Sequence, residues 1–125
     1  TRHVLSDLAI LLLVTGRPHE AEQAARAALR QNENLAAPWD TLASALEAQS
    51  RGEEAFDAME RAAAGEGADD PRIQLHWAQA LQRRGDLERA RQAADKAQAR
   101  RLELEPRQRE KLLRLRDALA APAQP

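Results

Sequence analysis

The chain has 125 residues, no cysteine and a formal net charge of −1, and only 2% of its residues are aromatic. The missing cysteines exclude a disulfide framework and a thiolate site, and the near-neutral charge argues against a nucleic-acid-binding protein. Alanine, leucine, arginine, glutamate and glutamine dominate, and all five favour helices, so we expect one all-α domain or one block of helical repeats.

Hydrophobic periodicity and helix breakers predict seven helices. In chain order they are expected at 4–14, 18–31, 38–49, 53–64, 72–84, 87–101 and 106–120. Pro18, Pro71 and Pro106 stand where a first helical turn tolerates a missing N–H group. We expect Gly65-Glu66-Gly67 to be only a flexible acidic connector.

The same residue types recur at spacings of 34 and then 35 residues. Four columns repeat in all three copies: Ala9, Ala43, Ala78; Ala21, Ala55, Ala90; Ala28, Ala62, Ala97; and Leu12, Leu46, Leu81. Leu8, Leu42 and Trp77 keep the same register and are expected to fill the space beside the alanines. Small residues let paired helices approach closely, so this period predicts stacked helix–turn–helix units.

These columns resemble the tetratricopeptide repeat, whose signature places bulky and small residues at fixed offsets. The second copy carries it as Trp39, Leu42, Ala43, Leu46, Ala55, Met59 and Ala62, and the third as Trp77, Ala78, Leu81, Gly85, Ala90, Ala94 and Ala97. The resemblance implies an all-α, right-handed superhelix of antiparallel helix pairs. It further implies repeats at 2–35, 36–70 and 71–105, a C-terminal capping helix at 106–120 and a disordered tail at 121–125.

The resemblance also implies function without catalysis. In this family the first helices of successive pairs line a concave groove that binds a peptide or protein. The matching positions are Ser6, Ile10, Leu13, Asp40, Thr41, Ser44, Glu47, Arg72, Leu75, His76, Gln79 and Arg83. The lining would be apolar in the first repeat, acidic in the second and basic in the third.

The first predicted helix is apolar nearly all round, which is typical of a buried helix. Ile10, Leu13 and Val14 lie outside the face that packs on its partner helix and form a candidate apolar packing surface. Three explanations stay open: preceding repeats of a longer protein cover it, the chain self-associates through it, or it belongs to a peptide-binding groove. Since the chain begins with Thr1, and its alanine- and arginine-rich composition suggests a GC-rich genome, we expect a fragment of a larger bacterial protein.

Charge is distributed unevenly along the chain. Residues 1–71 contain six basic and thirteen acidic side chains, whereas residues 72–125 contain thirteen basic and seven acidic ones. Such asymmetry can steer an acidic partner or favour head-to-tail assembly. The simplest interpretation is a solvated helical surface with local ion pairs.

No residue pattern indicates catalysis or metal binding. His3, His19 and His76 lack the His-Glu-x-x-His spacing of a zinc site, and no glycine-rich phosphate loop is present. We therefore expect no enzyme, no cofactor, no metal and no nucleic-acid partner. No apolar run reaches twenty residues, so membrane insertion is not expected either. A soluble protein of the bacterial cytoplasm or periplasm would fit.

Overall fold

A computed structural model describes residues 4–120, and these residues are all-α. Seven α-helices follow one another: α1 Val4–Val14, α2 Pro18–Gln31, α3 Ala36–Ala48, α4 Gly52–Ala63, α5 Pro71–Arg84, α6 Leu87–Ala99 and α7 Pro106–Ala120. A short 3₁₀ turn occupies Arg101–Glu103. The chain forms two compact units, the first ending at Ala68 and the second beginning at Asp69. The expected all-α class and the helix count are confirmed. The predicted tail at 121–125 and His3 lie outside the described residues.

Local chemistry explains where the helices begin and end. Pro18, Pro71 and Pro106 are each the first residue of a helix, as predicted. The carboxylate of Asp70 accepts a hydrogen bond from the backbone N–H of Arg72 at 2.9 Å and so caps α5. The third helix begins at Ala36, two residues earlier than expected, because the first turn needs no N–H donor from Pro38. The sixth ends at Ala99 and gives way to the 3₁₀ turn.

In the first unit, α1 pairs with α2, α3 pairs with α4, and α2 packs against α3. The alanine columns lie in these contacts, as the sequence predicts: Ala9, Ala21, Ala28, Ala43, Ala55 and Ala62 are all buried. Leu42 and Leu46 are each 1% exposed and fill the interior beside them. Burial of these side chains, rather than helix propensity alone, stabilises the pairs.

In the second unit, α5 pairs with α6, and α7 packs against α6. The third copy of the columns is buried here: Ala78, Leu81, Ala90 and Ala97. Trp77 is 7% exposed, and the Arg89 guanidinium lies 5.3 Å from the centre of its ring. Three leucines of α7 are buried: Leu112, Leu115 and Leu119.

The expectation that Leu8 fills the interior of the first pair is wrong. Leu8 is 41% exposed, whereas Leu42, at the corresponding position of α3, is 1% exposed. The physical reason is that burial depends on what packs against a side chain. In the first unit α2 packs against α3, and no described helix takes the equivalent place beside α1.

The connector that follows α4 is more ordered than the sequence indicates. The Glu66 carbonyl accepts a hydrogen bond from the N–H of Ala36 at 2.9 Å, and the Glu66 N–H donates to the Asn34 carbonyl at 2.7 Å. A Cβ atom added at Gly65 would lie 2.9 Å from the Asn34 carbonyl oxygen. Gly65 therefore permits a close approach between two loops of the first unit, and the prediction of a merely flexible connector is wrong.

Candidate functional site

The predicted lining residues of α1 and α3 fall on two neighbouring helices of the first unit, since α1 also packs against α3. Ser6, Ile10 and Leu13 share one face of α1 because they are four and three residues apart. Ile10 is 47% exposed, whereas Ser6 and Leu13 are half-buried. This face offers a ligand an apolar contact with one small hydroxyl beside it.

The corresponding face of α3 carries Asp40, Ser44 and Glu47, again four and three residues apart. Asp40 and Ser44 are half-buried, and Glu47 is exposed. Thr41 is only 7% exposed, and its hydroxyl donates to the Ala37 carbonyl at 3.2 Å. The structure therefore places Thr41 in the interior, so it does not line an exposed surface. The remaining three residues form a small, acidic face.

In the second unit, Arg72, His76, Gln79 and Arg83 follow one face of α5. Arg72 and Arg83 are exposed, and the other two are half-buried. Leu75 is 1% exposed and belongs to the core, which is where an aliphatic side chain gains most from leaving water.

The positive charge of Arg72 is already engaged. Its Nε and Nη2 donate to the Asp70 carboxylate at 3.1 and 2.8 Å. Burial would raise the pKa of Asp70, but the hydrogen bonds from the Arg72 side chain and backbone N–H outweigh it and hold the pKa below its usual value. The face of α5 is therefore less strongly basic than its sequence suggests.

The candidate apolar packing surface is solvent-exposed in part. Val14 is 73% exposed and Ile10 is 47% exposed, whereas Leu13 is half-buried. Val4 and Leu11, which the sequence did not single out, are 56% and 57% exposed. So many exposed aliphatic side chains on one helix are typical of a binding surface rather than of a free monomer surface.

A buried ionic cluster in the first unit was missed at the sequence level. Glu22 of α2 is 7% exposed and accepts hydrogen bonds from three side chains: Gln49 Nε2 at 3.0 Å, Arg51 Nη1 at 2.8 Å and Arg26 Nε at 3.0 Å. Burial would raise the pKa of Glu22, but these three donors outweigh it and lower the pKa below its ordinary value. The cluster ties α2 to the end of α3 and the turn that follows it.

A second feature that the sequence did not reveal is an open cavity of about 700 Å³ at the α2–α3 loop. Arg26, Arg30 and Trp39 line it, and the Trp39 indole N–H donates to the Glu33 carbonyl at 2.8 Å. The guanidinium of Arg61 lies 5.2 Å from the centre of the Trp39 ring. A cation at this distance from an indole ring is attracted to the ring face and helps to hold the indole in place.

Within residues 4–120, no group of three or more histidine, aspartate or glutamate side chains is arranged to hold a metal ion. His19 is exposed and its ring lies 4.0 Å from the Glu22 carboxylate. None of the helices formed by the same residues has the length and apolar character that crossing a bilayer requires.

Paired helices with buried alanines at spacings of 34 and 35 residues define a helical-repeat fold of the tetratricopeptide type, and solved structures agree. The type III secretion chaperone SycD from Yersinia enterocolitica, in complex with a peptide of the translocator YopD, matches 92% of this chain and 88% of its own, with a TM-score of 0.70 and 19% identity. PcrH from Pseudomonas aeruginosa matches 97% of this chain and 92% of its own, with a TM-score of 0.71 and 20% identity. Pseudomonas aeruginosa PilF matches 95% of this chain and 52% of its own, with a TM-score of 0.78 and 18% identity.

At these identities the similarity extends to the fold alone. No protein-family model matches the sequence, and no curated protein matches it either.

Proposed function

We propose that this chain is a non-catalytic interaction module of three tetratricopeptide-type repeats and a C-terminal capping helix, and that it binds a peptide or protein segment. In the first unit the ligand surface is formed by the exposed faces of α1 and α3, without Thr41. The exposed face of α5 in the second unit, without Leu75, is a separate candidate surface.

The observation that carries this proposal lies in the first unit. Ile10 is exposed on α1, and α1 packs against α3. The outward face of α3 carries Asp40, Ser44 and Glu47. An apolar strip beside carboxylates is suited to a segment that carries aliphatic anchors and basic residues, because apolar burial supplies affinity and charge supplies selectivity. The fold supports the proposal as well, since SycD was solved with a peptide of YopD and PcrH with the chaperone-binding region of PopD.

Selection of peptides tests the proposal directly. The full chain is used to select binders from a phage-displayed library of random peptides, and the affinity of the selected peptides is measured by calorimetry. We expect peptides with aliphatic and basic residues. Ser44→Arg places a long cation on the α3 face and is expected to weaken binding about tenfold or more, equivalent to about 1.4 kcal/mol.

The matched control is Gln23→Arg, which adds the same side chain at an exposed position of α2 and is expected to leave affinity unchanged. Failure to select any peptide, or equal affinities for Ser44→Arg and the wild type, would contradict the proposal. Joint replacement of Arg72, His76 and Arg83 by alanine tests separately whether the face of α5 in the second unit binds a ligand.

Self-association is a second candidate function, which the 73% exposure of Val14 favours. One crystal structure of SycD describes an alternative dimer. In this second candidate function, two copies of the chain associate through the apolar first helix. Attraction between the oppositely charged ends of the chain strengthens the association. Sedimentation velocity at tens of micromolar, with and without high salt, separates the candidates: a monomer under both conditions would rule out self-association.

A further inference from the structure

Two corresponding surfaces of the first unit differ in whether a helix covers them. On α3, Pro38, Leu42 and Ala45 lie on one helical face, and Gln49 lies on the same face. Because Gln49 Nε2 donates to the Glu22 carboxylate of α2, this face of α3 meets α2. The three apolar residues are buried there.

The residues 34 positions earlier on α1 have the same spacing but are exposed. Val4 is 56% exposed, Leu8 is 41% exposed and Leu11 is 57% exposed. These three residues, with Arg17 in the turn that follows, are called here the outer face of α1. Within the described part of the first unit nothing covers this face.

The turns after α1 and after α3 contain the same type of ion pair, between an arginine and the glutamate three residues later. Arg51 Nε and Nη2 donate to the Glu54 carboxylate at 2.9 and 2.7 Å. Arg17 Nε likewise donates to Glu20 at 2.7 Å, and its Nη2 donates to the same carboxylate.

The two turns differ in one contact. Arg51 Nη1 also donates to Glu22 of the neighbouring helix α2, at 2.8 Å. Among the described residues, Glu20 is the one carboxylate that Arg17 contacts, through Nε and Nη2. The Nη1 group of Arg17 is therefore positioned to donate to a second carboxylate. That carboxylate would belong to a helix that packs on α1 in the way that α2 packs on α3.

We propose that the outer face of α1 binds an α-helix of a partner protein in the way that α3 and Arg51 hold α2. The docking face of that helix carries small side chains, because α2 places alanines in its own contacts: Ala21, Ala24, Ala25 and Ala28. The helix also carries a carboxylate that reaches Arg17, as Glu22 reaches Arg51. Asp7 is exposed at the edge of the outer face, so the partner helix carries a basic residue there to pair with it.

A second copy of this chain does not offer such a helix. The alanine faces of the second helices of each pair are buried within every copy: Ala24 and Ala25 in α2, Ala55 and Ala58 in α4, and Ala93 and Ala94 in α6. Presenting any of them to another chain would require the donor to unfold in part. A folded second copy of this chain is therefore excluded as the occupant of the outer face.

The test uses a synthetic peptide with the sequence of α2, residues 18–31, added to the full chain. A hydrocarbon staple between positions 19 and 23, which are both exposed on α2, holds the peptide helical. Fluorescence anisotropy is expected to show saturable binding of one peptide per chain. Leu11→Gln is expected to weaken binding about fivefold, because roughly half of a leucine side chain loses its apolar contact.

Arg17→Ala is expected to weaken binding about two- to fivefold, as for a partly exposed ion pair. A peptide with glutamine at the position of Glu22 is expected to bind the wild type and Arg17→Ala equally well. The matched control is Leu113→Gln on α7, where the leucine is 59% exposed and lies far along the chain. It is expected to leave the affinity unchanged.

No saturable binding to the wild-type chain, or equal binding to Leu11→Gln, would overturn the proposal. A wild-type chain that is dimeric in sedimentation and becomes monomeric on Leu11→Gln would assign the outer face to a second copy and overturn it too. Circular dichroism confirms that each variant is folded. Since Ser44 lies on a different face of the first unit, these outcomes are independent of the peptide selection described above.

Discussion

At the scale of single residues, Glu22 connects parts of the first unit that are far apart in sequence. Its donors Gln49 and Arg51 follow it by 27 and 29 residues, so their bonds form only when α2 packs against the end of α3. The pKa of Arg51 is raised above its ordinary value, first by the hydrogen bond to Glu54 and, after the opposing effect of burial, by Glu22. A buried carboxylate with three donors fixes the register of the two helices, because a shifted helix would leave the charge unpaired.

Replacement of Glu22 by glutamine is therefore expected to lower the free energy of unfolding by about 1–3 kcal/mol, the range for hydrogen bonds to a charged group. Urea denaturation followed by circular dichroism measures the change. Glu20→Gln is the matched control, because Glu20 is exposed and bonds only to neighbouring Arg17 among the described residues. We expect a change within about 0.5 kcal/mol for the control, and equal effects of the two variants would contradict this role of Glu22.

The same carboxylate makes part of the stability depend on pH. The pKa of Glu22 is lower in the folded chain than its ordinary value of 4.5. Ionised Glu22 therefore stabilises the folded state at pH values above 4.5. This contribution is lost as the pH falls through the pKa that Glu22 has in the folded chain. The difference in unfolding free energy between the wild type and Glu22→Gln should be largest near neutral pH and shrink below about pH 4. Urea denaturation at several pH values measures it, and a difference that stays constant would contradict the assignment.

Part of this ionic cluster can be recognised in the sequence. Arg17 with Glu20 and Arg51 with Glu54 repeat at 34 residues with the same spacing, so both local pairs could have been predicted. The bond to Glu22 could not, because it depends on how α2 meets α3. No local spacing encodes that contact.

At the scale of elements, the helix boundaries could be predicted from the sequence to within two residues because strong breakers mark most of them. Prolines open three helices, and Gly16 and Gly85 adopt the left-handed conformation in the turns after α1 and α5, with φ of +79° and +82°. The exposure of Leu8 could not be predicted from the sequence, although Leu8 lies in the same repeat column as Leu42 and Trp77. A repeat pattern shows which positions pack against a neighbouring helix when that helix is present. It cannot show whether the neighbouring helix is there.

The crossing of α3 and α4 tests the alanine columns. Ala55 is 3% exposed, and Ala55→Leu adds three carbon atoms where the helices approach closely, so we expect a loss of about 1–3 kcal/mol in unfolding free energy. The control is Ala48→Leu, at an exposed position of α3, for which we expect a change within about 0.5 kcal/mol. Thermal and urea denaturation measure both. An unchanged Ala55→Leu would mean that the column does not mark the crossing.

The loop contact at Gly65 provides a separate test. Gly65→Ala would bring a Cβ atom to 2.9 Å from the Asn34 carbonyl oxygen and to 3.0 Å from the backbone of Ala36, so the two loops must move apart. We expect a loss of about 1–3 kcal/mol. Gly52→Ala, at a helical position with nothing within 4 Å, is expected to be neutral or to stabilise by about 0.5 kcal/mol. Equal effects in urea denaturation would contradict the ordered connector.

At the scale of the whole molecule, the two compact units differ in charge. The first, residues 1–68, has six basic and eleven acidic side chains, whereas the second, residues 69–125, has thirteen basic and nine acidic ones. Much of this charge is locally paired, as between Arg100 and Glu103 or Arg114 and Glu110. Local pairs on exposed helices contribute little stability, and they agree with the solvated helical surface that the sequence analysis describes.

The fold class could be predicted from the sequence because the spacing of 34 and 35 residues constrains it, whereas the exposure of the proposed lining residues could be predicted only in part. Ten of the twelve proposed lining residues are exposed or half-buried, and Thr41 and Leu75 are buried. The two buried residues adjoin lining positions on their helices, where a small rotation of the helix turns a side chain from solvent to core.

We propose that the exposed faces of α1 and α3 form the ligand surface. Amide chemical-shift mapping by NMR, with a peptide from the phage selection added to the full chain, tests it most directly. We expect the largest shifts at Ile10, Leu13, Ser44 and Glu47, and we expect them to require about ten times more peptide in Ser44→Arg. Shifts concentrated on the outward residues of α2 and α4, or the same titration midpoint in Ser44→Arg as in the wild type, would contradict the proposal.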